Sequence, residues 1–121
     1  MITVPTQEEI AIILSWTQFP VDGDYPCLIV RGNAQVASYV QYQSDGDVAC
    51  IYFLETRALL RRRGYARMLV AYLQERFLEI TAHIVVRESH AFWLAAGFSP
   101  EYPHILADHD WVWHRERSAF F

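Results

Sequence analysis

The 121-residue chain contains no lysine, and its positive charge is carried by ten arginines. It has two cysteines, Cys27 and Cys50, at a separation unlike that of metal ligands, so they are expected to be reduced, buried and inert. It also lacks an apolar run long enough to span a membrane. Its opening residues, MITVPTQEEI, have neither a basic start nor an apolar stretch of the signal-peptide kind, so a cytoplasmic location is expected. There is no internal repeat, low-complexity tract or linker, and no room for a second domain, so residues 1–121 read as one compact domain. With 53% hydrophobic and 20% charged residues the chain is of the folded type.

The charge that is present is unevenly placed. Fourteen acidic residues face ten basic ones, and removing Arg61, Arg62, Arg63 and Arg67 leaves fourteen against six. One positive spot therefore sits on an acidic protein. A nucleic-acid binder neutralises many phosphates over a whole basic face, which this distribution does not provide, so nucleic acid is not an expected partner. A small polyanion fits better.

Hydrophobic period divides the chain into elements. PTQEEIAIILSWTQF predicts a first helix capped by Thr6 with Glu9 three residues on, and Ile10, Ile13, Leu14 and Thr17 on one face. CLIVRGNAQVASYVQYQ predicts two strands around Gly32-Asn33, and SDGD turns the chain into a third, VACIYFLET. After Gly64, the residues Tyr65, Met68, Leu69, Tyr72, Leu73 and Phe77 recur at helical spacing. AHIVV predicts a strand buried on both faces, ESHAFWLAAGF a short helix closed by Gly97, and HILADHDWVWHRE a last strand pair around Asp108-His109-Asp110. The fold class is α/β (α+β), a sheet with helices packed on it.

LLRRRGYARML stands where a strand passes through a glycine turn into a helix. Such a place presents free backbone N–H groups and the positive end of a helix dipole, which together cradle phosphate. Gly64 permits close approach or a positive φ, Ala66 leaves the pocket open, and arginines pair with phosphate oxygens. The segment alone is equally consistent with a solvated, arginine-rich helix start.

The spacing Arg61-x-x-Gly64-x-Ala66 resembles the acetyl-CoA pyrophosphate loop of the GNAT superfamily, the GCN5-related N-acetyltransferases. IYFLETRALLRRRGYARMLVAYLQERF is similar to that superfamily's central strand, loop and helix, and HAFWLAAGF resembles its second signature, ending here in Gly97-Phe98. The resemblance covers residues 48–99 and implies a mixed, mostly antiparallel central sheet with helices on both faces. It implies acetyl-CoA as cosubstrate, bound by backbone amides from Arg62 to Arg67, with Thr56, Arg61, Arg62, Arg63, Gly64, Tyr65, Ala66, Arg67, Ser89 and Trp93 as the cofactor-binding set. The pantetheine arm would lie along CIYFLET like an added strand. The implied activity is acetyl transfer to a primary amine.

Transfer needs a free amine, an N–H aimed at the developing oxyanion and a proton for the leaving thiolate. Cys50 stands where some histone-modifying relatives carry a glutamate, which leaves Glu55 as the nearest carboxylate and a base acting through water. Trp93 occupies the place of a tyrosine found in many relatives, and its indole is no acid. Arg87 stands where an asparagine is common. Tyr52, Ser89 and His90 are the substitutes for the acid, with Tyr52 paired with Glu55 as the catalytic candidates. His104, His109 and His114 lie near the C-terminal hairpin, where acceptor pockets form. Trp16 and Trp93 read as core, while Trp111 and Trp113 share one strand face that could serve as a dimer contact or substrate wall. The acidic remainder favours a cationic acceptor, and no metal is implied. A second reading is a non-catalytic acetyl-CoA-binding module that regulates a partner protein.

Overall fold

In the computed structural model, which describes residues 2–21 and 25–115, the apolar spacing after Thr6 folds as helix α1, Gln7–Trp16. Thr6 Oγ1 accepts from the Glu9 N–H at 3.2 Å, and Glu9 Oε1 accepts from the Thr6 N–H at 3.0 Å, a reciprocal capping box. Ile13 is the residue this helix buries; Leu14, expected beside it, faces outward.

Seven strands form one sheet: β1 Ile2–Thr3, β2 Cys27–Gly32, β3 Gln35–Asp45, β4 Val48–Thr56, β5 Glu79–Val85, β6 Ser99–Pro100 and β7 His109–His114. Their order is β1-β2-β3-β4-β5-β7-β6, and each neighbouring pair is antiparallel except β4 with β5. Helix α1 covers one face through Ile13 on Ile29, Val36 and Tyr39. The other face is covered by α2, Tyr65–Arg76, and α3, His90–Ala95, through Leu69, Val70, Leu73 and Trp93. The expected mixed sheet with helices on both faces is the observed one.

The β2–β3 turn lies one residue later than expected, at Asn33 and Ala34, both with positive φ. Gly32 ends β2 paired with Gln35, and the end of the Tyr65 ring occupies the space a Cβ there would need. The chain's last hairpin also differs from expectation. Asp108-His109-Asp110 is not its turn; Asp110 lies inside β7, whose partner strands are β5 and β6. Trp111 is buried, and Trp113 is partly buried against the same core, its indole 3.3 Å from where a Gly97 Cβ would stand. Gly97 itself closes α3 at φ +91°.

Two irregularities shape the sheet's centre. The β3–β4 register breaks so that Gln41 pairs with Phe53 and Tyr42 with Ile51, leaving Tyr52 as a bulge. As a result Phe53 packs toward α1, while Ile51 and Leu54 pack with the α2 cluster. In addition, β4 and β5 pair only from Val48/Glu79 to Ile51/Ala82 and then separate. β5 is therefore not buried on both faces: His83 and Ile84, beyond the separation, are exposed. No helix among the described residues is long and apolar enough to cross a membrane.

Candidate functional site

The arginine and glycine segment follows β4 through a short 3₁₀ turn, Ala58–Leu60, which buries Leu60. Arg62 and Gly64 both have left-handed backbones, φ +65° and +84°. Alternating left-handed residues turn successive N–H groups toward one concave side. Gly64 then caps α2 without any side-chain hydrogen bond, and the first helical bond runs from Met68 N–H to Gly64 O, leaving the N–H groups of Tyr65, Ala66 and Arg67 free of intrahelical acceptors. A Cβ on Gly64 would meet nothing within 4 Å, so the loop is open on that side.

The four arginines are not equivalent. Arg61 Nε donates to Thr56 O at 3.3 Å, and Arg67 Nη1 donates to Gln74 Oε1 at 3.3 Å, with Gln74 in turn donating to Ala96 O. Arg62 and Arg63 are exposed and have no side-chain partner among the described residues. The Tyr65 side chain turns inward over Gly32, so only its backbone faces the loop.

From this loop a cavity of ≈ 370 Å³ runs through the gap between β4 and β5. Its wall includes Ala66 from the first turn of α2, residues 51–56 of β4, residues 82–86 of and after β5, and Ser89, Phe92 and Trp93. Beyond Ile51 the β5-facing edge of β4 has no strand partner, so its peptide groups border the cavity outside any ladder, with Thr56 O accepting from Arg61. Thr56 lies in that wall with its hydroxyl donating to Ser38 Oγ at 3.0 Å. Ser89 Oγ donates to Val86 O at 2.9 Å. Trp93 is both wall and core, 6% exposed, with Phe92 and Phe98 edge-on to its ring.

Glu55 and Tyr52 do share this cavity, because the bulge turns Tyr52 to the α1 side with Phe53 and Glu55. Glu55 Oε1 accepts from Thr17 Oγ1 at 2.7 Å, from Tyr39 OH at 3.1 Å and from Gln18 N–H at 3.4 Å. The carboxylate thus ties the end of α1 to β4. Burial foremost pushes the Tyr39 phenol well above its usual range, so it stays a donor to this network. Phe19, also in the wall, stacks on Phe53 with ring centroids 5.1 Å apart. Tyr52 OH donates to Gln43 Oε1 at 3.1 Å, and its ring stacks on Tyr25. The neighbouring Cys50, then burial, push the Tyr52 phenol above its usual range. Both thiols are half-buried and free; burial pushes Cys27 up to about 11 and raises Cys50, so both are protonated at neutral pH.

His90 is turned away, against Trp111 at 4.6 Å between ring centroids. His104, His109 and His114 are outside the cavity wall, with His114 Nδ1 3.1 Å from Glu79. Arg87 and His109 border a separate ≈ 300 Å³ hollow. The residue overlooked in the sequence is His83, in the wall beside Tyr52, with Nδ1 3.1 Å from Asp110 Oδ1. Its signal was a titratable side chain inside AHIVV, a run otherwise read as buried strand. Among the described residues no cluster of His, Cys, Asp and Glu is arranged to hold a metal ion.

A loop with left-handed residues thus leads into a helix start with free N–H groups, beside a splayed parallel strand pair. The chain matches the acetyltransferase (GNAT) family over residues 3–98. It belongs to the GNAT acetyltransferase family. Solved GNAT structures carry the same fold. The Bacillus subtilis N-acetyltransferase YlbP, in complex with coenzyme A, aligns at a TM-score of 0.73 and 12% identity over 94% of this chain and 95% of that one. The Escherichia coli ribosomal-protein-S18-alanine N-acetyltransferase aligns at 0.69 and 15% identity over 99% and 96%. Arabidopsis thaliana Naa50, in complex with the bisubstrate analogue CoA-Ac-MVNAL, aligns at 0.70 and 15% identity over 93% and 95%. No curated protein sequence matches the chain. The GNAT cosubstrate, acetyl-CoA, fits the residues present: free N–H groups and two unpaired arginines for phosphates, then an apolar slot edged by strand peptides for the arm.

Proposed function

We propose that this GNAT protein transfers the acetyl group of acetyl-CoA to a primary amine. The observation that carries the proposal is the cavity that leads from Ala66, beside the left-handed loop, along the unpaired edge of β4 to the carboxylate of Glu55. In this reading the N–H groups from Arg62 to Arg67 bind the pyrophosphate, with Arg62 and Arg63 adding charge-assisted contacts. The arm pairs with β4 between Tyr52 and Thr56, and Ser89 and Trp93 form the opposite wall. Acetyl-CoA supplies the activated acyl carbon. The amine nitrogen bonds to that carbon while a β4 backbone N–H stabilises the oxyanion, and the carbon–sulfur bond breaks to release the thiolate. Glu55, fixed by Thr17 and Tyr39, places negative charge where a cationic acceptor enters, and the protonated Tyr52 phenol is the proton source for the thiolate. The names of the S18-alanine enzyme and of the Naa50 complex direct attention to peptide and protein α-amines as acceptors.

One observation favours a second reading, a non-catalytic acetyl-CoA-binding module: Trp93 is buried where many relatives place a tyrosine acid. The test incubates the protein with acetyl-CoA and a panel of glucosamine, spermidine, a peptide with a free α-amine and an α-blocked lysine peptide. An enzyme releases coenzyme A thiol in step with acetylated amine. A module is stabilised by acetyl-CoA and releases none.

A further inference from the structure

Beyond Ala82, β5 departs from regular strand geometry. The β5–β7 register breaks between Ala82 and Val85, and Ile84 sits at φ +47°. For a β-branched residue this is a costly left-handed backbone, and such strain persists only where surrounding contacts enforce it. The enforcing contact is Asp110 of β7. Its Oδ1 accepts from the Ile84 N–H at 2.9 Å and lies 3.1 Å from His83 Nδ1. The distorted segment thereby projects His83 into the wall of the central cavity, edge-on to Tyr52 at 5.6 Å between ring centroids. Tyr52 and Asp110 also border an open groove of ≈ 770 Å³ on the far side, with Tyr25, Gln43 and Cys50. The imidazole thus stands beside the junction of the cavity with a route from solvent.

We propose that His83 accepts the proton of the incoming amine through Nε2, and that Asp110 is the positioning residue that fixes its tautomer and its place in the cavity. The inference rests on the acetyltransferase reading above and names the base of that same site. An ionised carboxylate at Nδ1 is an acceptor only, so it keeps the Nδ1 proton on the ring and leaves the Nε2 lone pair free. Glu55 is the less suited base, because Oε1 already accepts from Thr17, Tyr39 and Gln18. The titratable groups gathered around His83 are Asp110 from β7, Tyr52 and Cys50 from β4, and Tyr25 from the segment before β2. In the proposed step an ammonium N–H bond breaks, its proton goes to His83 Nε2, and the freed nitrogen lone pair forms the bond to the acyl carbon; as the carbon–sulfur bond breaks, Tyr52 gives its proton to the thiolate and the second proton shed by the nitrogen restores the Tyr52 phenol. The imidazolium returns the proton to solvent after the product amide leaves; His83 is half exposed, which permits this.

The test compares the parent with His83→Gln, Asp110→Asn and Asp110→Ala. The asparagine keeps a carbonyl oxygen for the Ile84 N–H, so the bulge is retained. Nitrogen NMR of the ligand-free parent should show His83 as the Nδ1–H tautomer; Asp110→Asn, whose carbonyl oxygen still accepts at Nδ1, should keep it, and Asp110→Ala, which removes that acceptor, should convert it to a mixture. With the best acceptor of the four-amine panel, His83→Gln should lower kcat about 100-fold and remove the acidic limb of the kcat–pH profile, with the KM for acetyl-CoA unchanged. Asp110→Ala should lower kcat roughly tenfold or more in the same way. Thermal stabilisation by coenzyme A in each variant shows that it is folded and binds. If coenzyme A fails to stabilise the parent, the underlying acetyltransferase reading falls. Absence of acetylation of all four amines likewise removes that reading and the base assignment with it; where the parent does acetylate an amine, two results overturn the base assignment alone: an Nε2–H tautomer, or His83→Gln turning over like the parent with its acidic limb intact.

Discussion

In the proposed function Gly64 serves the phosphate loop through its backbone conformation alone. Beyond its chain neighbours nothing lies within 4 Å of where its Cβ would be, yet its φ of +84° is one that side-chain-bearing residues reach at a cost. Gly64→Ala should therefore destabilise the fold by about 1 kcal/mol through backbone conformation alone. It should also reduce the thermal shift caused by coenzyme A, because relief of that strain redirects the loop N–H groups. A variant with parental stability and a parental shift would remove the loop from the phosphate site. The neighbouring arginines divide by partner. Arg62 and Arg63 have their full hydrogen-bonding capacity available, whereas Arg61 and Arg67 are engaged with Thr56 O and Gln74. Charge-assisted contacts are worth about 1.5–3 kcal/mol, so Arg62→Ala and Arg63→Ala should weaken coenzyme A binding roughly tenfold or more in calorimetric titration. Arg61→Ala and Arg67→Ala should cost less. Equal effects at all four positions would indicate a diffuse electrostatic attraction in place of placed contacts.

Among the elements, those governed by local chemistry were legible in the sequence. Thr6 with Glu9 specifies the start of α1, Gly64 the start of α2 and Gly97 the end of α3, since each rests on residues within one turn of chain. The slot along β4 followed only from the family resemblance, and the irregularities that shape its walls were not legible, because they belong to pairs of strands. The Tyr52 bulge arises from how β4 registers on β3, and period-two alternation puts Tyr52 and Phe53 on opposite faces where the bulge joins them. Asp110 misleads in the same way: it has the composition of a turn residue, but its carboxylate is occupied by Ile84 and His83 on the adjacent strand. Glu9 carries a second long-range tie. Arg31 on β2 donates to both its oxygens at 2.7 Å, and that contact foremost holds the Glu9 carboxyl down to about 2 from a usual 4.5. A carboxyl lowered in the folded state adds stability above its unfolded pKa and loses it as pH falls toward the folded value. The melting temperature of Glu9→Gln should therefore lie below that of the parent at pH 7, with the gap closing between about pH 4.5 and pH 2. A gap that persists at pH 2 would assign the effect to helix capping by the neutral side chain.

At the scale of the molecule, the sheet is two blocks joined by a short seam. β1–β4 form one block and β5, β7 and β6 the other, and the parallel pairing between them is limited to four residue pairs from Val48/Glu79 to Ile51/Ala82. Past that seam, the cavity has the strand edge of β4 on one side and Val85, Val86, Ser89 and Trp93 on the other. In the proposed placement a ligand laid along β4 in this gap would act as a missing strand and contact both blocks at once, with its phosphates on the loop before α2. Its binding should stabilise the whole domain through mass action, since the unfolded chain offers neither feature. At a coenzyme A concentration about 100 times the dissociation constant the gain is about 2.7 kcal/mol, or roughly 10 °C in melting temperature for a chain of this size. The distribution of the effect is the sharper measurement. Hydrogen exchange with coenzyme A present should slow at the amides of residues 62–67 and of 52–56 together, because one ligand spans both. Slowing at 62–67 alone, with 52–56 unchanged, would mean that the arginine loop holds the phosphates while the arm lies elsewhere, and the strand-like placement along β4 would be wrong.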